Sequence, residues 1–589
     1  MSDTYNSRLE PAPRKRFNGP FSHLVRHAAQ RIFHGGERAT SDDVDLSVGA
    51  LLGVLAFPGV FASLFLIDKY GSLFQVLRGD LNFDPYAASL PDEYFFIVLS
   101  MVVSAAVAVW KWDTLLPDGR DYRTLAPLPI STRSFLLANL SALVILATIL
   151  SIDVNAASTI LFPVVVASSR SSFAFFARFL VAHFLCVTLA NLFGFVVVLG
   201  VLGTLMSVLP ARMFLRASMY VRFAIVVALM GLVATSFAVS PLINAAGFAS
   251  HAWLKWTPPV WFIALSQVLL GRSGQNLLSL ARLGLIATIL ATCVAVTTYL
   301  LSYRRHFLRS TETLQAQGQG RSVIAQALFG LADWLLLRTA FERAGFRFAF
   351  RTLFRVSDPS LALGWFVGLG VVITSQSLFT LARTSPAMPR SLPSADVLGI
   401  PLTLSYFLIL GLRSAFEIPV SLRANWIFRI TVDPDANEPA VLTRKIIWAI
   451  LAPGLILICL PLYGHFWGSE VALVHTIIVA AMSLILIEIS LMRFRKVPFT
   501  CSVHSFRSTA IVTILVYVAA FFAFSNLTST IEQWAFADPV YWIVFLFVFG
   551  IAWAALRQWR NNQTYLDRRI IFVDSPPAAV ETMNLSFGP

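Results

Sequence analysis

The sequence predicts an all-α polytopic membrane protein. Hydrophobic residues make up 57% of its 589 residues and charged residues only 13%, about half the charged fraction of an average soluble domain. With 49 Phe, 14 Trp and 13 Tyr, the chain is also far more aromatic than a solvated disordered chain. Its apolar residues cluster into runs long enough to cross a bilayer as helices. A water-soluble globule and a disordered chain are therefore both excluded.

Twelve apolar runs have about the length that an α-helix needs to cross the hydrocarbon core, which is about 20 residues. They lie near residues 47–67, 94–111, 135–152, 180–206, 219–243, 279–301, 360–381, 396–417, 445–464, 471–491, 509–526 and 539–556. The stretch 173–209 is too long for one upright helix, so its front end is expected at the membrane surface. The runs form two sets of six, which predicts two six-span halves.

A long polar segment between the two sets defines the predicted domains. They are an N-terminal segment with an interfacial helix (1–46), a first six-span half (47–301), a basic amphipathic linker (302–359), a second six-span half (360–557) and a tail (558–589). Residues 1–46 lack the apolar stretch of a secretory signal. We therefore expect the N-terminus to stay in the cytosol.

Lys and Arg are distributed unevenly among the predicted loops. Of the 45 such residues, 35 fall on the side of the N-terminus and 8 on the opposite side. Because cytosolic loops carry the excess of positive charge, both termini are expected to be cytosolic. The net charge of +14 then reflects topology, and no binding of nucleic acid is expected.

Two segments have the spacing of helices that lie along the membrane surface. In the first, residues 21–33, apolar side chains recur on one face and arginines on another. In the second, Arg343, Arg347, Arg351 and Arg355 recur every four residues among apolar ones. This basic stripe suits anionic lipid headgroups or an acidic partner surface. A solvated basic face is the other interpretation.

Catalytic and nucleotide-binding signatures are absent from the sequence. It contains no G-x-x-x-x-G-K-[ST], H-E-x-x-H, G-x-S-x-G or C-x-x-C, so P-loop ATP hydrolysis and zinc or serine hydrolase chemistry are not expected. No residues suggest a bound metal, and the four cysteines are too scattered for a disulfide framework. We expect a protein that is not an enzyme.

Few ionisable residues lie deep in the predicted spans. His183 and His475 are the two near span centres. A buried ionisable group can mark a substrate or ion path, but a hydrogen-bonded structural histidine is the favoured interpretation. Asn139, Asn155 and Asn191 are further candidates for a substrate path, or they join neighbouring helices by hydrogen bonds.

The loop after the second span contains two turn centres with a charged stretch between them. Pro117-Asp118-Gly119 and Pro127-Leu128-Pro129 bracket Arg120-Asp121-Tyr122-Arg123, and Pro and Gly favour turns at such positions. Ser131 or Thr132 follows and is expected to cap the third span. The loop should be compact and project a short helix into the cytosol.

This loop resembles that of permease subunits of ATP-binding-cassette (ABC) exporters of the second exporter type. Those proteins often carry a Leu-Pro-[Ile/Val]-Ser-like element after the second span, matched here by residues 128–131. The amphipathic helix before the first span, the six spans per half and the hydrophobic outer segment 253–271 are also similar. The second half has no clear Leu-Pro-x-Ser element, and residues 431–445 occupy the place after span eight.

The resemblance implies a multi-pass bacterial permease of the inner (plasma) membrane that exports an unidentified, lipid-like or amphipathic substrate. The chain would bind no cofactor itself, and a cytosolic P-loop ATPase partner, in two copies, would hydrolyse ATP. The ATPase would dock on a coupling loop formed by Asp118, Arg120, Asp121, Arg123, Leu128, Pro129 and Ser131. Membrane lipids are expected partners, and a homodimer is left open.

Two other functions remain open at this stage. The first is a twelve-span secondary transporter built from two six-span repeats, which the scarcity of buried charges disfavours. The second is a membrane regulator that transports nothing. An adjacent gene for a P-loop ATPase would favour the exporter over both.

Overall fold

In the computed structural model the described part of the chain is helical and contains no strand. The structure describes residues 20–34, 53, 56, 58–71, 85–115, 131–166, 172–238, 255–272, 274–309, 329–330, 332–383, 393–419, 427–428, 430, 438–492, 494, 496–500, 510–538 and 540–566. The prediction of an all-α fold is confirmed for these residues.

Eighteen α-helices of the described part of the chain are numbered in chain order. They are α1 (Pro20–His34), α2 (Ile67–Tyr70), α3 (Pro85–Ala88), α4 (Leu90–Trp110), α5 (Thr132–Val166), α6 (Phe173–Val208), α7 (Ala211–Ala238), α8 (Pro258–Leu269), α9 (Gln275–Arg309), α10 (Ala340–Arg355), α11 (Ser357–Arg383), α12 (Ala395–Phe416), α13 (Glu438–Gly454), α14 (Leu460–Trp467), α15 (Ser469–Ser490), α16 (Ala510–Phe522), α17 (Thr528–Ala537) and α18 (Val540–Leu566). The π-helical segments Leu455–Cys459 and Ala523–Leu527 join α13 to α14 and α16 to α17.

Ten helical stretches in the described part of the chain are long and apolar enough to cross a membrane. They are Leu90–Trp110, Arg133–Val166, Phe173–Val208, Ala217–Ser236, Gln275–Ser302, Ser357–Leu378, Ala395–Phe416, Pro439–Trp467, Ser469–Ser490 and Val540–Trp559. The predicted spans near 47–67 and 509–526 are not among the ten, and each lies only partly within the described residues. The protein is therefore a multi-pass membrane protein.

Several helices extend well beyond the apolar runs that predict them. Helix α6 has 36 residues and is about 54 Å long, so the front end of the stretch 173–209 continues without a break into the span. Ser172 begins this helix by accepting a 3.2 Å hydrogen bond from the Phe175 backbone N–H. Helix α5 likewise has 35 residues and contains Pro163.

The chain packs as two units. The first comprises Met1–Phe214 and Asn244–Ala316, and the second comprises Leu215–Ile243 and Gln317–Pro589. Most of α7 therefore belongs to the second unit, although its residues fall within the predicted first half.

Helix α7 contacts α11 through glycines of α11. A Cβ on Gly368 would collide with the Met230 side chain, and one on Gly364 would lie 3.3 Å from the Phe223 ring. The absence of side chains lets the two helices approach closely, as in many membrane proteins. Because the contacting residue numbers rise together, α7 and α11 run parallel. Close packing thus places α7 in the second unit.

Helix α6 is central to the first unit and contacts α4 along a polar seam. Ser100 and Ser104 of α4 donate hydrogen bonds of 2.8 and 2.7 Å to the carbonyls of Val187 and Asn191. The paired residue numbers rise together, so α4 and α6 run parallel. Gly194 continues the seam, since a Cβ there would collide with the backbone of α4.

Two more contacts give the directions of neighbouring helices. Ser302 of α9 donates a 2.6 Å hydrogen bond to the Gly203 carbonyl, and a Cβ on Gly200 would lie 3.6 Å from the Ala295 backbone. Helix α9 therefore runs parallel to α6 as well. In the second unit, by contrast, α11 and α12 are antiparallel, because Gly411 faces Phe366 whereas Gly370 faces Phe407.

Helix α1 confirms the amphipathic pattern of residues 21–33. Its Leu24 is buried with Phe135 and Ala138 of α5, and Arg31 donates a 2.8 Å hydrogen bond from Nη2 to Asn139 Oδ1. The helix therefore lies along the N-terminal end of α5, immediately after the loop that resembles the exporter element.

Candidate functional site

The first unit encloses a carboxyl group and an imidazole away from solvent. Glu93 of α4 and His183 of α6 are both 0% exposed, with 3.9 Å between Glu93 Oε1 and His183 Nδ1. Ser266 of α8 donates a 2.5 Å hydrogen bond to the same carboxylate oxygen. Glu93 Oε2 and both His183 ring nitrogens have no hydrogen-bond partner within the described residues. Three helices thus converge on a polar centre whose hydrogen-bonding capacity is only partly used.

The local sequence explains how Glu93 comes to lie there. Helix α4 begins with Pro near its first position and with Asp92 and Glu93 in its first turn, where unpaired N–H groups favour carboxylates. Glu93, Ile97 and Ser100 are spaced to lie on one helix face, and all three are buried. The same face packs on α6, because Ser100 donates its hydrogen bond to the Val187 carbonyl there. The packing of α4 on α6 therefore carries Glu93 into the interior.

Aromatic rings enclose the imidazole of His183. The ring centroids of Phe162 and Phe96 lie 5.0 and 5.9 Å from that of His183, and Cys186 is buried one turn further along α6. An apolar enclosure strongly disfavours a net charge. The carboxyl and the imidazole are therefore expected to remain neutral as a pair.

The second unit contains a comparable pair. His475 of α15 and Glu532 of α17 are 0% exposed, and 2.7 Å separates His475 Nδ1 from Glu532 Oε1. The Tyr463 ring of α14 lies 4.4 Å from the imidazole, and its hydroxyl donates a 2.5 Å hydrogen bond to the Val397 carbonyl. In the part of the chain that the structure describes, His475 Nε2 and Glu532 Oε2 have no partner.

The chemistry of these pairs is limited by the number of groups in each. His475 and Glu532 are hydrogen-bonded and therefore share one proton, either as an ion pair or as two neutral groups. Glu93 and His183, at 3.9 Å, are too far apart for a direct hydrogen bond, but they too form a buried pair of one carboxyl and one imidazole. Among the described residues no group of three or more His, Cys, Asp or Glu side chains is placed to hold a metal ion. A proton is therefore the ligand that the paired groups fit.

The predicted substrate-path residues lie in several places. Asn139 and Asn155 each donate a 2.9 Å hydrogen bond to the backbone carbonyl four residues earlier on α5. Asn191 donates a 3.3 Å hydrogen bond to a carbonyl of α4, at Ser100. His183 and Asn191 share α6, whereas His475 belongs to the second unit. Asn191 therefore joins α6 to α4, and Asn139 also accepts the hydrogen bond from Arg31 of α1, whereas the bond from Asn155 lies within its own helix.

Most of the predicted coupling loop lies outside the described residues. This holds for Asp118, Arg120, Asp121, Arg123, Leu128 and Pro129. Ser131 is described, and its Oγ accepts a 3.1 Å hydrogen bond from the Ser134 backbone N–H. The prediction of a cap at the start of the third span is thereby confirmed for Ser131.

The four arginines of the basic stripe are exposed on α10. Arg347 forms an ion pair with Asp333, and the Arg351 guanidinium lies 5.8 Å from the centre of the Phe329 ring. Apolar residues of the opposite face are buried in the second unit, namely Phe346, Ala349 and Leu353. The helix is therefore anchored on one face and basic on the other.

Sequence reasoning missed Glu93 and Glu532, the two carboxylates of the pairs. The predicted second span begins at residue 94, whereas α4 begins at Leu90. Glu532 falls between the predicted spans 509–526 and 539–556, whereas the structure continues that helix through a π-helical segment to Ala537. The spacing of Thr528, Glu532 and Ala535 on one helix face was a usable signal, and all three residues are buried.

Comparison with protein-family models, with curated proteins and with solved structures gave no match. The site is therefore interpreted from its own geometry.

Proposed function

We propose that the chain is the permease subunit of a bacterial ABC-type exporter in the plasma membrane. It moves a lipid-like or amphipathic substrate out of the cytosol and obtains its energy from a separate cytosolic P-loop ATPase, present in two copies. The ATPase docks on the loop 111–134. The proposal rests on the resemblance of that loop and on one structural observation, helix α8.

Helix α8 supports this proposal most directly. Its 12 residues extend about 18 Å, which is too short to cross a bilayer, and it packs against α4, α6 and α9. Pro258 and Pro259 open it, since Pro is tolerated in the first turn of a helix. A short apolar helix between the fifth and sixth spans is the outer segment that the exporter resemblance implies. Helix α17 precedes α18 in a comparable way.

The directions of the helices support the twelve-span topology. When a chain crosses the membrane once per span, spans of the same parity run in the same direction. The predicted second, fourth and sixth spans correspond to α4, α6 and α9, and these three helices are parallel. The predicted fifth and seventh spans correspond to α7 and α11, which are also parallel to each other. Helices α11 and α12 are consecutive and antiparallel. These directions are those that the twelve-span topology requires of the described helices, and two six-span halves with both termini in the cytosol stay part of the proposal.

Purification of the tagged chain from its native membrane in mild detergent tests the exporter assignment. We expect a soluble P-loop ATPase to copurify in stoichiometric amount, identified by mass spectrometry, and we expect substitutions in the loop 111–134 to release it. A matched control is Asp396→Arg at the exposed start of α12, on the predicted opposite side. An intact, monodisperse chain without any ATPase would overturn the proposal.

The buried pairs favour a second candidate function, a secondary transporter driven by a proton gradient. Carriers of that kind keep ionisable groups within the membrane because those groups bind the coupling ion. Proteoliposomes with the chain alone distinguish the two functions. Substrate movement that follows an imposed pH gradient without ATPase would support the carrier, and its absence would favour the exporter.

The basic stripe on α10 fits a place at the cytosolic membrane surface. We propose that Arg343 and Arg355, with Arg347 and Arg351 between them, contact anionic lipid headgroups. Trp334 and Phe354 are exposed at 80% and 46% nearby in sequence, and aromatic side chains favour the interface. The apolar face of the helix fixes the arginines to the second unit.

A further inference from the structure

The two buried pairs lie at the same kind of helix junction. In the first unit α4, α6 and α8 contact one another. In the second unit α12 contacts α15 and α17, which the His475–Glu532 hydrogen bond joins. Each set consists of the second and fourth spans of a predicted half and the short helix before its sixth span. The two units thus repeat one local architecture.

The histidines occupy similar positions in this architecture. His183 is the eleventh residue of α6 and His475 the seventh residue of α15, so each lies near the N-terminal end of a fourth-span helix. The surrounding heptapeptides, VAHFLCV and LVHTIIV, share little besides the histidine. The two histidines therefore correspond in their position on the helix and in their chemistry, but not in the sequence around them.

The same chemical groups recur around both imidazoles. In the first unit the neighbours of the His183 imidazole are the Glu93 carboxyl and the Phe162 ring, and the buried Cys186 thiol interacts electrostatically with Glu93. Ser266 of α8 adds a hydroxyl. Among the described residues, these contacts bring together one carboxyl, one imidazole and one thiol that can titrate.

In the second unit the neighbours of His475 are the Glu532 carboxyl, the Cys459 thiol and the Tyr463 ring. Thr476 of α15 donates to the Cys459 sulfur at 3.7 Å, and α12 contributes only a carbonyl, at Val397. Within the described residues neither carboxylate forms an ion pair with Lys or Arg. Each pair is therefore isolated from compensating charge.

Charge balance determines how many protons such a pair holds. With one proton between its two groups each pair is neutral overall, whether the proton resides on the carboxyl or on the imidazole. Removing the proton would leave a net negative charge in an apolar enclosure, and adding a second would leave a net positive one. Exchange therefore requires water to reach the pair, and the side chains of both pairs are 0% exposed.

We propose that each unit contains a one-proton binding site, Glu93–His183 in the first and His475–Glu532 in the second, which exchanges its proton when its short helix separates from the fourth-span helix. The short helices are suited to this movement, since α8 carries Ser266 and α17 carries Glu532 itself. On release the proton passes from the carboxyl oxygen or the imidazolium nitrogen to an entering water. The sites do not depend on an ATPase and would serve an exporter or a carrier.

An apolar carbodiimide tests whether these carboxyls bind and exchange protons. Dicyclohexylcarbodiimide reacts with a protonated carboxyl in an apolar site. The proton moves to a carbodiimide nitrogen, the carboxylate oxygen bonds to the central carbon, and the adduct rearranges to a stable N-acylurea. With the purified full chain in detergent, we expect mass spectrometry to find labels at Glu93 and Glu532. Labelling of both carboxyls should fall as the pH is raised, because only the protonated carboxyl reacts.

Matched variants identify the role of the imidazole. His475→Asn removes the proton-sharing partner of Glu532, so the pH of half-maximal labelling at Glu532 should rise by about one unit or more. His465→Asn, at an exposed position on α14, should leave it unchanged. Glu532→Gln should abolish labelling at residue 532 and preserve it at Glu93. A histidine with only a packing role would change stability without moving this midpoint.

Two results would overturn the inference. The first is the absence of carbodiimide adducts at both carboxyls in a monodisperse chain. The second is an identical pH profile at Glu532 in the wild type and in His475→Asn, with His475→Gln measured in parallel in case the first variant misfolds. Because labelling uses the chain alone, its failure is distinct from failure to copurify an ATPase.

Discussion

Lys445 of α13 donates a 2.6 Å hydrogen bond to Glu342 Oε1 at the start of α10. Glu342 Oε2 accepts the backbone N–H groups of Arg338 and Thr339 at 2.7 and 3.3 Å, and Thr339 Oγ1 accepts the Glu342 N–H at 3.2 Å. The last two contacts form a capping box. One carboxylate thus both begins the basic amphipathic helix and ties it to a membrane span of the same unit.

Glu342→Gln should destabilise the second unit measurably. Glutamine preserves the shape of the capping box but removes the charge that attracts Lys445, so we expect the free energy of unfolding to fall by about 2 kcal/mol. Unfolding of the purified chain in increasing dodecyl sulfate, followed by intrinsic fluorescence, measures the change. Glu470→Gln, in the exposed first turn of α15, is the matched control and should stay within about 0.5 kcal/mol.

The contribution of Glu342 should also depend on pH. Burial opposes its ionisation, but the hydrogen bond from Lys445 and those from the two backbone N–H groups prevail and hold the pKa of Glu342 below its ordinary 4.5. A lowered pKa in the folded state gives a contribution that is full above 4.5 and is lost as the pH falls through the folded value. The stability difference between wild type and Glu342→Gln should therefore shrink in acid. A difference that stays constant to about pH 3 would contradict this assignment.

Gly194→Ala should separate α4 from α6. The added Cβ would collide with the Met101 carbonyl, a backbone atom that cannot rotate away, so we expect a loss of about 1–3 kcal/mol. Gly231→Ala in α7 is the control, because no atom lies within 4 Å of its Cβ position, and it should be neutral or slightly stabilising. Equal unfolding curves for both variants would argue against the close approach.

If the proposed exporter function is correct, Asp121→Arg should uncouple the chain from the proposed ATPase partner. Reversal of charge in a docking loop replaces attraction by repulsion across the contact, so stimulation of ATP hydrolysis by the chain should fall at least about tenfold. The amount of chain in the membrane, measured by immunoblot, should not change. Unaltered stimulation would remove the loop 111–134 from the proposed dock.

The combined change Arg343→Gln and Arg355→Gln should weaken retention of anionic lipid. An arginine at a membrane surface contributes about 1 kcal/mol to attraction of anionic lipid, so two losses should reduce bound phosphatidylglycerol roughly tenfold or more. Quantitative lipid mass spectrometry of detergent-purified protein measures it. Lys255→Gln combined with Arg272→Gln, two exposed residues beside α8, is the control on the predicted outer side. Equal lipid retention in both variants would defeat the lipid interpretation.

Much of the candidate site was beyond the reach of the sequence. His183 and His475 could be identified because an ionisable residue within an apolar run is conspicuous. Glu93 and Glu532 were missed, since each lies where an apolar run ends and a polar loop is the simpler expectation. Only the packing of α4 on α6 and of α17 on α15 shows that both carboxylates are buried beside a histidine.

The sequence by itself determined that the chain is an α-helical, multi-pass membrane protein, because the length and polarity of an apolar run are local properties. It also determined the amphipathic helices α1 and α10 and the cap at Ser131, which depend on residues within a few positions of one another. The tertiary structure decided which helices become neighbours, including the assignment of α7 to the second unit and the two carboxyl–imidazole pairs. Those outcomes depend on close contacts between residues that are far apart in the sequence, such as Gly368 and Met230. The sequence of one apolar run does not indicate which other helix packs against it.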